Sequence, residues 1–460
     1  MSDPPAGDGR SLVRGLGPWD AALVTIGSVL GTGIFITTGD MARALPHAGL
    51  IVLAWAVGGL LTLTGALTYA ELGALYPRAG GQYVFLKEAY GPLPGFLFGW
   101  TAFTVVMGGG IATLAVGFGE YLGAFLPFFS TTHAVLSVGG WSVNGGQLAG
   151  ALAILFLTFV NYLGVREGAG LQNLVTVAKI GSLLGLGVLG LLAPAPQSPR
   201  LLAPAGEGVT VFAFGIAMIA VLWSYDGWYA VTNLAGEMRR PERDLPLGLI
   251  AGTLAVTLLY MLMNLVYVRA LSVPEMAATA RIGETTASVL FGPWGARLVT
   301  AAVLVSTFGC ISATILYAAR IYLPMAEDRV FFPALARVHP RHRTPSASLV
   351  AQGAWATLLT FSGTYEQLYT YVMFAAVLFH AATGAAVLVL RRTRPDAPRP
   401  YRVWGYPLVP VVFVLSSLAL VANTLLERPK ESVIGLGIVA LGLPAYAWWR
   451  RRSEVGDRAA

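Results

Sequence analysis

The residues Gly27-Ser28-Val29-Leu30-Gly31-Thr32-Gly33-Ile34-Phe35 lie in the first long apolar segment of the chain, which runs from residue 15 to residue 39. A helix needs about 20 residues to cross the hydrocarbon core of a bilayer, so this segment is long enough to span a membrane. Its middle contains three glycines within seven positions, and each glycine costs about 1 kcal/mol of helix propensity relative to alanine. The sequence therefore predicts a spanning helix that is broken near its centre.

The glycines allow two interpretations. Gly27 and Gly31 match the GxxxG pattern by which membrane helices pack closely. Alternatively, a broken helix exposes backbone amides and carbonyls, which a membrane tolerates only where they face protein, water or a ligand. A second interrupted segment in the other half of the chain favours a binding site.

The composition is that of a membrane protein. The 460 residues are 56% hydrophobic and 12% charged, with a mean hydropathy of +0.67. We predict an all-α membrane protein whose partner is the lipid bilayer. The net charge of +7 comes from arginines at helix ends, which indicates topology and not a nucleic-acid partner. Twelve segments with few or no charged residues predict twelve transmembrane helices, at residues 15–39, 49–70, 89–119, 148–165, 180–199 (starting near Leu171), 208–225, 245–268, 298–319, 344–365, 367–390, 403–426 and 432–449.

Lysine and arginine are distributed unevenly between the two sides of the predicted membrane. With the N-terminus in the cytoplasm, 22 of the 30 fall on the cytoplasmic side, 7 fall outside, and Lys179 lies within the membrane. This asymmetry follows the positive-inside rule. We therefore expect a multi-pass protein of the cell (inner) membrane with both termini in the cytoplasm.

The predicted spans repeat. Three span starts recur at offsets of 199, 199 and 197 residues: Gly49 and Gly248, Leu148 and Ala347, Leu171 and Leu368. Five helices in each copy invert the second copy in the membrane, as in one large class of secondary transporters. We predict a 5+5 inverted-repeat transport core at 19–402, a tail at 1–18, spans 11 and 12 at 403–450, and a tail at 451–460.

The break in span 1 has a counterpart in span 6, where Ser224-Tyr225-Asp226-Gly227 interrupts the apolar run. An ionised aspartate inside a span is costly, so it is usually functional or internally paired. We interpret Asp226 as the cap of the second half of span 6, where a carboxylate suits the free amides and the helix dipole. It would then also lie near a substrate amine.

Two crossing broken helices offer backbone amides that bind an anion and backbone carbonyls that bind a cation. The amides of Thr32 and Gly33 suit a carboxylate, since they begin the second half of span 1. Unpaired carbonyls of Val29, Trp223 and Ser224 suit an ammonium group. A site for both charges fits a zwitterion, and amino acids are the commonest zwitterionic solutes.

Four stretches carry a family resemblance. They are GTGIF at 31–35, ALTYAELGALYPRAGGQYVFLKEAYG at 66–91, WSYDGWYAVTNLAGEMRRPERDLP at 223–246 and AARIYLPMAEDRVFFPALARVHPRHRTP at 318–345. These stretches are similar to the amino acid–polyamine–organocation superfamily, and within it to the L-type amino acid transporter family, especially its bacterial serine/threonine exchangers and alanine-serine-cysteine exchangers. The resemblance runs from about Trp19 to about Arg402.

The resemblance implies a leucine-transporter-type fold and a set of substrate-binding residues, called here the substrate seat. Trp223 matches the aromatic residue that closes over substrate in the family. Animal members join a glycoprotein through a cysteine between spans 3 and 4, but residues 120–147 contain none, so we expect no disulfide-linked heavy chain. The implied seat is Val29, Gly31, Thr32, Gly33, Trp223, Ser224 and Asp226.

Lys179 matches a family lysine that reaches between spans 1 and 8, because the NxxG at 161–164 and LQNLVTVAKIGSLLGL at 171–186 resemble that segment. An ammonium there can bind carbonyls at the end of the first half of span 1, as a metal ion would. Alternatively, its stem snorkels to the cytoplasmic surface. A third interpretation is that burial lowers its pKa and lets it cycle protons, and the sequence does not decide between a fixed and a cycling lysine. We expect a sodium-independent exchanger of small neutral L-amino acids of the serine, threonine and alanine type. The rival function is a proton-coupled amino acid symporter of the same fold.

The other polar residues in or near the spans have mainly structural interpretations. His380 is either a proton relay or a packed neutral histidine. Glu71 is read as a carboxylate that binds a helix end or loop. Glu237 and Asp244, with Arg239, Arg240 and Arg243, are read as a latch of the inner gate or a topology signal. The sequence shows no catalytic pair, metal cluster or cofactor motif, and too few polar residues for a channel, so we expect neither an enzyme nor a channel.

Overall fold

The computed structural model describes residues 14–139, 141–164, 168–194, 196–197, 201, 210–340, 342 and 344–459. Arg10, Arg166, Arg200, Arg341 and Arg343, which entered the predicted charge asymmetry, lie outside them, as do most of the tail at 1–18 and residue 460. The α-helices of the described part are α1 Pro18–Val29, α2 Gly33–Ala44, α3 Ala48–Leu75, α4 Gln82–Tyr90, α5 Pro92–Thr101, α6 Met107–Leu122, α7 Gly145–Leu163, α8 Gly168–Leu192, α9 Val211–Tyr225, α10 Pro241–Ala270, α11 Val273–Ala278, α12 Ile282–Glu327, α13 Ser346–Thr360, α14 Tyr365–Thr393, α15 Leu408–Glu427 and α16 Pro429–Ala459.

The helical membrane protein predicted from composition is confirmed. Within the described ranges, ten segments are long and apolar enough to cross a membrane, or eleven if α1 and α2 form one bent span. The ninth predicted span corresponds to α13, which has 15 residues. At 1.5 Å per residue it is about 22 Å long, shorter than the ~30 Å hydrocarbon core. The count of twelve and the 5+5 repeat stay predictions.

Two regions mark opposite ends of the bundle. Strands β1 Ala134–Val138 and β2 Trp141–Asn144 form an antiparallel hairpin between α6 and α7, and we call that side the hairpin end. At the other side, Leu16 bridges to Met238, and Trp449 of α16 packs against Phe332. We call this side, which carries both ends of the described chain, the terminal end.

Candidate functional site at two broken helices

The predicted break in span 1 is confirmed. α1 ends at Val29, α2 begins at Gly33, and the two helices meet at 43°. The N–H of Phe35 bonds to the carbonyl of Thr32 at 3.0 Å, so Thr32 opens the second half. The first amides of α2 have no acceptor within the helix, as at any helix N-terminus.

Span 6 is also interrupted, but its second half differs from the prediction. After α9 the chain turns through Asp226 to Tyr229 and continues as a 3-10 helix, Ala230–Glu237. Gly227 has φ +93°, a left-handed conformation that glycine adopts freely. The predicted capping role of Asp226 is wrong. Tyr229 is the N-cap of the 3-10 helix and Asp226 is the C-cap of α9, because a four-residue turn separates the two helices; the Asp226 carboxyl binds the backbone N–H of Gly227 within that turn.

The two breaks touch through their glycines. A Cβ on Gly33 would lie 2.6 Å from Cα of Ser224, and a Cβ on Gly227 would lie 2.7 Å from the carbonyl oxygen of Ser28. The hydroxyl of Thr37 lies 2.7 Å from that of Ser224. Gly33 and Gly227 are therefore required by the crossing of spans 1 and 6.

Lys179 reaches the end of α1 from α8. Its ammonium donates to the carbonyls of Gly27 at 3.3 Å and Leu30 at 3.2 Å, and the residue is 4% exposed. The hydroxyl of Ser306 on α12 donates to the same Leu30 carbonyl at 3.0 Å. Lys179 thus lies between spans 1 and 8 and does not snorkel to the surface.

Tyr260 on α10 joins the two breaks, and sequence reasoning missed it. Its hydroxyl lies 3.0 Å from the carbonyl oxygens of both Val29 and Ser224. A hydroxyl has one proton and donates to only one of them at a time. The carbonyls of Trp223 and Val29 each already accept a backbone N–H, from Asp226 at 3.0 Å and from Gly31 at 2.7 Å respectively. One carbonyl of the Val29 and Ser224 pair therefore remains without the Tyr260 proton.

Trp223 closes the site toward the hairpin end. Its indole N–H donates to the hydroxyl of Tyr365 at 2.8 Å, and its ring stacks on Tyr369 at 6.2 Å. The Tyr365 hydroxyl also lies 2.9 Å from that of Thr32. Inside this closure is a cavity of about 30 Å³ lined by Gly31, Gly33, Trp223, Ser224 and Asp226 among others. Outside it is a cavity of about 620 Å³ that Tyr365 also lines.

Charged groups and backbone pairing close the terminal end. The guanidinium of Arg320 on α12 binds the carboxylate of Glu237. The N–H groups of Gly15 and Leu16 donate to the carbonyl of Glu237 at 2.9 and 3.0 Å. The predicted pairing of Glu237 with Arg239, Arg240 and Arg243 is wrong, because the 3-10 helix turns its carboxylate toward α12.

Two further carboxylates were read from the sequence. Glu71 binds Arg391 through both oxygens, at 2.9 and 2.7 Å, and accepts the N–H of Val403 at 2.7 Å, which confirms its loop-binding role. The carboxylate oxygens of Asp244 are buried and have no hydrogen-bond partner within the described ranges, so its predicted pairing with the arginines is also wrong.

Within the described residues, no group of three His, Cys, Asp or Glu is arranged to hold a metal ion. Cys310 is a free, buried thiol on α12 that donates to the carbonyl of Ser28 at 3.2 Å. The site therefore consists of backbone groups, hydroxyls, one ammonium and one carboxylate.

A small closed cavity between two broken spans, sealed toward both ends of a helical membrane bundle, defines the chain as a membrane carrier. The chain belongs to the amino acid permease family, whose sequence profile matches residues 16–441. This confirms the resemblance to the amino acid–polyamine–organocation superfamily. The protein transports amino acids and is not an enzyme.

Three relatives illustrate the similarity. The serine/threonine exchanger SteT of Bacillus subtilis is 30% identical over 96% of this chain and 98% of its own length. The b(0,+)-type amino acid transporter 1 of Mus musculus is 31% identical over 91% of this chain and 84% of its own. The large neutral amino acids transporter small subunit 2 of Homo sapiens is 29% identical over 97% and 83%.

Proposed function

We propose that this chain is a sodium-independent exchanger of small neutral L-amino acids of the serine, threonine and alanine type, working by alternating access. The observation that carries the proposal is the contact of the Lys179 ammonium with the carbonyls of Gly27 and Leu30. The similarity to a serine/threonine exchanger along nearly the whole of both chains supports the exchange mode and the substrate class.

The substrate seat follows from the two breaks. The substrate carboxylate binds the amides of Thr32 and Gly33 at the start of α2, where a helix N-terminus favours an anion. The substrate ammonium binds the carbonyl of Val29 or Ser224 that lacks the Tyr260 proton, on the side where Asp226 lines the cavity. Gly31 lines the same cavity, and Trp223 covers it.

The size of the cavity requires movement. A volume of about 30 Å³ holds about one water molecule, so an amino acid enters only when one closure opens. Opening toward the hairpin end separates Trp223 from Tyr365, and opening toward the terminal end separates Glu237 from Arg320. These are the two gates of the proposed cycle.

Lys179 takes the place of a sodium ion. In this proposal its ammonium is a fixed positive charge, and it donates to the carbonyl of Leu30, which Ser306 also binds. A second cation at the same carbonyls is unfavourable, because like charges repel strongly in a buried site. The lysine then holds spans 1 and 8 together, as an ion would, at every step of the transport cycle.

The arrangement in the membrane is part of the proposal. The terminal end faces the cytoplasm, residues 19–402 form the transport core and residues 403–450 add two helices. We propose that no heavy chain is attached by a disulfide, since the single cysteine, Cys310, is buried.

The test uses purified protein in proteoliposomes. For the wild type we expect uptake of radiolabelled serine that requires serine inside and is equal in sodium and potassium buffers. Lys179→Ala removes two charge-assisted hydrogen bonds, each worth about 1.5–3 kcal/mol, so exchange falls at least about tenfold. Lys430→Ala, at an exposed lysine, is the matched control and keeps wild-type exchange.

Three outcomes contradict the proposal. Stimulation of the wild type by a sodium gradient excludes sodium independence. Undiminished exchange by Lys179→Ala excludes the lysine as the substitute for the ion. Accumulation of serine driven by a proton gradient into vesicles without internal amino acid supports the proton-coupled symporter instead.

A further inference from the structure

The cavity of about 30 Å³ between the two breaks, called here the central cavity, is lined by a hydroxyl that the substrate seat does not include. Ser28 is the last residue but one of α1, lines this cavity and is 5% exposed. Its Oγ is buried and has no hydrogen-bond partner within the described ranges. Because buried polar atoms are rarely left unpaired, this hydroxyl suits a polar group that enters the cavity with the substrate.

Other helical hydroxyls near the two breaks have internal partners. In a helix, the hydroxyl of serine or threonine can donate to the carbonyl four residues earlier. Thr25, Thr37, Ser224 and Thr314 all do so, at distances of 2.9 to 3.0 Å. Ser28 makes no such bond in the described part of the chain, so its proton and its lone pairs both remain for a group inside the cavity.

The backbone of Ser28 is fixed by contacts that do not involve its hydroxyl. Its carbonyl accepts the thiol proton of Cys310 at 3.2 Å. A Cβ on Gly227 would lie 2.7 Å from that carbonyl oxygen and 3.3 Å from Cβ of Ser28. The turn in span 6 therefore packs directly against Ser28, and replacing the hydroxyl by hydrogen leaves these contacts in place.

The three polar parts of a serine molecule need different partners. A carboxylate only accepts hydrogen bonds and an ammonium only donates them, whereas a hydroxyl does both. In the proposed function, the carboxylate binds the amides at the start of α2, and the ammonium binds a backbone carbonyl beside Asp226. The side-chain hydroxyl is the part that still needs a partner, and Ser28 offers it both a donor and an acceptor.

We propose that the hydroxyl of Ser28 hydrogen-bonds the side-chain hydroxyl of serine or threonine and so determines the preference for these substrates over alanine. The inference rests on the proposed function and names the residue that selects within its substrate class. Alanine has no hydroxyl, so Oγ of Ser28 stays buried and unpaired when alanine is bound. Sites that hydrogen-bond a substrate hydroxyl discriminate for this reason against the analogue that lacks it.

The test compares substrates that differ in one hydroxyl. Serine and alanine are one such pair, and threonine and 2-aminobutyrate are a second. In proteoliposomes, Ser28→Ala should raise the ratio of the apparent KM for serine to that for alanine about 3- to 10-fold, equivalent to about 0.6–1.4 kcal/mol. The ratio for threonine to 2-aminobutyrate should rise by a similar factor. The KM for alanine should change less than about twofold, because alanine makes no bond to Oγ.

Ser417→Ala is the matched control. Ser417 lies on α15, is 5% exposed like Ser28, and is outside the lining of the central cavity. Its hydroxyl donates to the carbonyl of Phe413 at 2.7 Å, so the substitution removes a buried hydroxyl that does not face substrate. Both ratios should equal those of the wild type.

An equilibrium measurement gives the same ratio without transport. Radiolabelled alanine is bound to the purified protein in detergent and displaced by unlabelled serine or alanine, for the wild type and for both variants. An unchanged ratio in Ser28→Ala overturns the proposal. An equal loss of affinity for serine and alanine also overturns it, because a hydroxyl that binds the ammonium or supports only the fold acts on both.

The outcomes separate this inference from the proposed function. A raised ratio in Ser28→Ala supports the role of Ser28 even if a proton or sodium gradient drives the wild type, which would contradict the proposed exchange mode alone. A wild-type protein that binds neither serine nor alanine overturns both proposals.

Discussion

The two helix breaks differ in how their buried polar groups find hydrogen-bond partners. The break between α1 and α2 is bonded by side chains from three other helices: Lys179, Tyr260, Ser306 and Cys310. The break after α9 keeps a buried carboxylate oxygen, Oδ1 of Asp226, that has no hydrogen-bond partner within the described ranges. Unpaired backbone groups are tolerated at membrane depth only against protein or water, and the carbonyls of the first break meet this need with protein donors.

The difference separates a fixed side of the site from a responsive one. Each donor to span 1 ties it to α8, α10 or α12, so the first break is rigid in its bonding. The second break contributes Trp223, the proposed lid, and the Asp226 oxygen that has no partner in the described part of the chain. We therefore expect changes to the contacts that hold span 1 to abolish the fold of the site, and changes at span 6 to alter the handling of substrate.

The largest effect is expected where the breaks touch. Gly33→Leu places a side chain where a Cβ alone would lie 2.6 Å from Cα of Ser224. Backbone atoms do not yield as a flexible side chain does, so we expect serine exchange to fall more than about 100-fold, equivalent to at least about 2.8 kcal/mol.

Gly181→Leu is the matched control for this contact, because a Cβ on Gly181 has nothing within 4 Å. Its exchange rate should equal that of the wild type, and gel filtration should show both variants monodisperse. Wild-type exchange by Gly33→Leu would show that spans 1 and 6 do not cross through this glycine.

A smaller effect is expected at the lid. Trp223→Ala removes the hydrogen bond to Tyr365 and the stacking on Tyr369. Together these contacts are worth about 1–3 kcal/mol, so the apparent KM for serine should rise about 5- to 100-fold. Trp294→Ala, at a tryptophan that is 73% exposed, is the control. An unchanged KM in Trp223→Ala would remove Trp223 from the closure.

The smallest of the three effects is expected at the Tyr260 hydroxyl, which joins the two breaks. Tyr260→Phe keeps the ring packed on Trp55 and Tyr225 but removes the donor to the carbonyls of Val29 and Ser224. One hydrogen bond is worth about 0.5–1.5 kcal/mol, so exchange should fall about 3- to 10-fold. Tyr267→Phe, at a buried hydroxyl without a partner in the described residues, should change exchange less. Equal loss in both variants would contradict the bridging role.

Much of the architecture was predictable because it depends on local properties. The apolar segments, the break at Gly31 to Gly33 and the interruption near Asp226 follow from hydropathy and from the low helix propensity of glycine. Glu71 was predictable as a loop-binding carboxylate, since a charge at the end of a span needs a partner. The amino-acid carrier class followed from the same breaks together with the family motifs.

Partners across the bundle were not predictable. Tyr260 binds carbonyls that lie 231 and 36 residues away, Thr32 meets Tyr365 across 333 residues, and Glu237 meets Arg320 across 83. Asp226 was misread as a cap because the sequence does not show how many residues the turn after α9 takes. The sequence by itself determined where helices cross the membrane and where they break, because hydrophobicity and backbone freedom belong to each residue. Only the tertiary structure decided which donor reaches which carbonyl, because a hydrogen bond depends on distances of about 3 Å that are set by how separate helices pack.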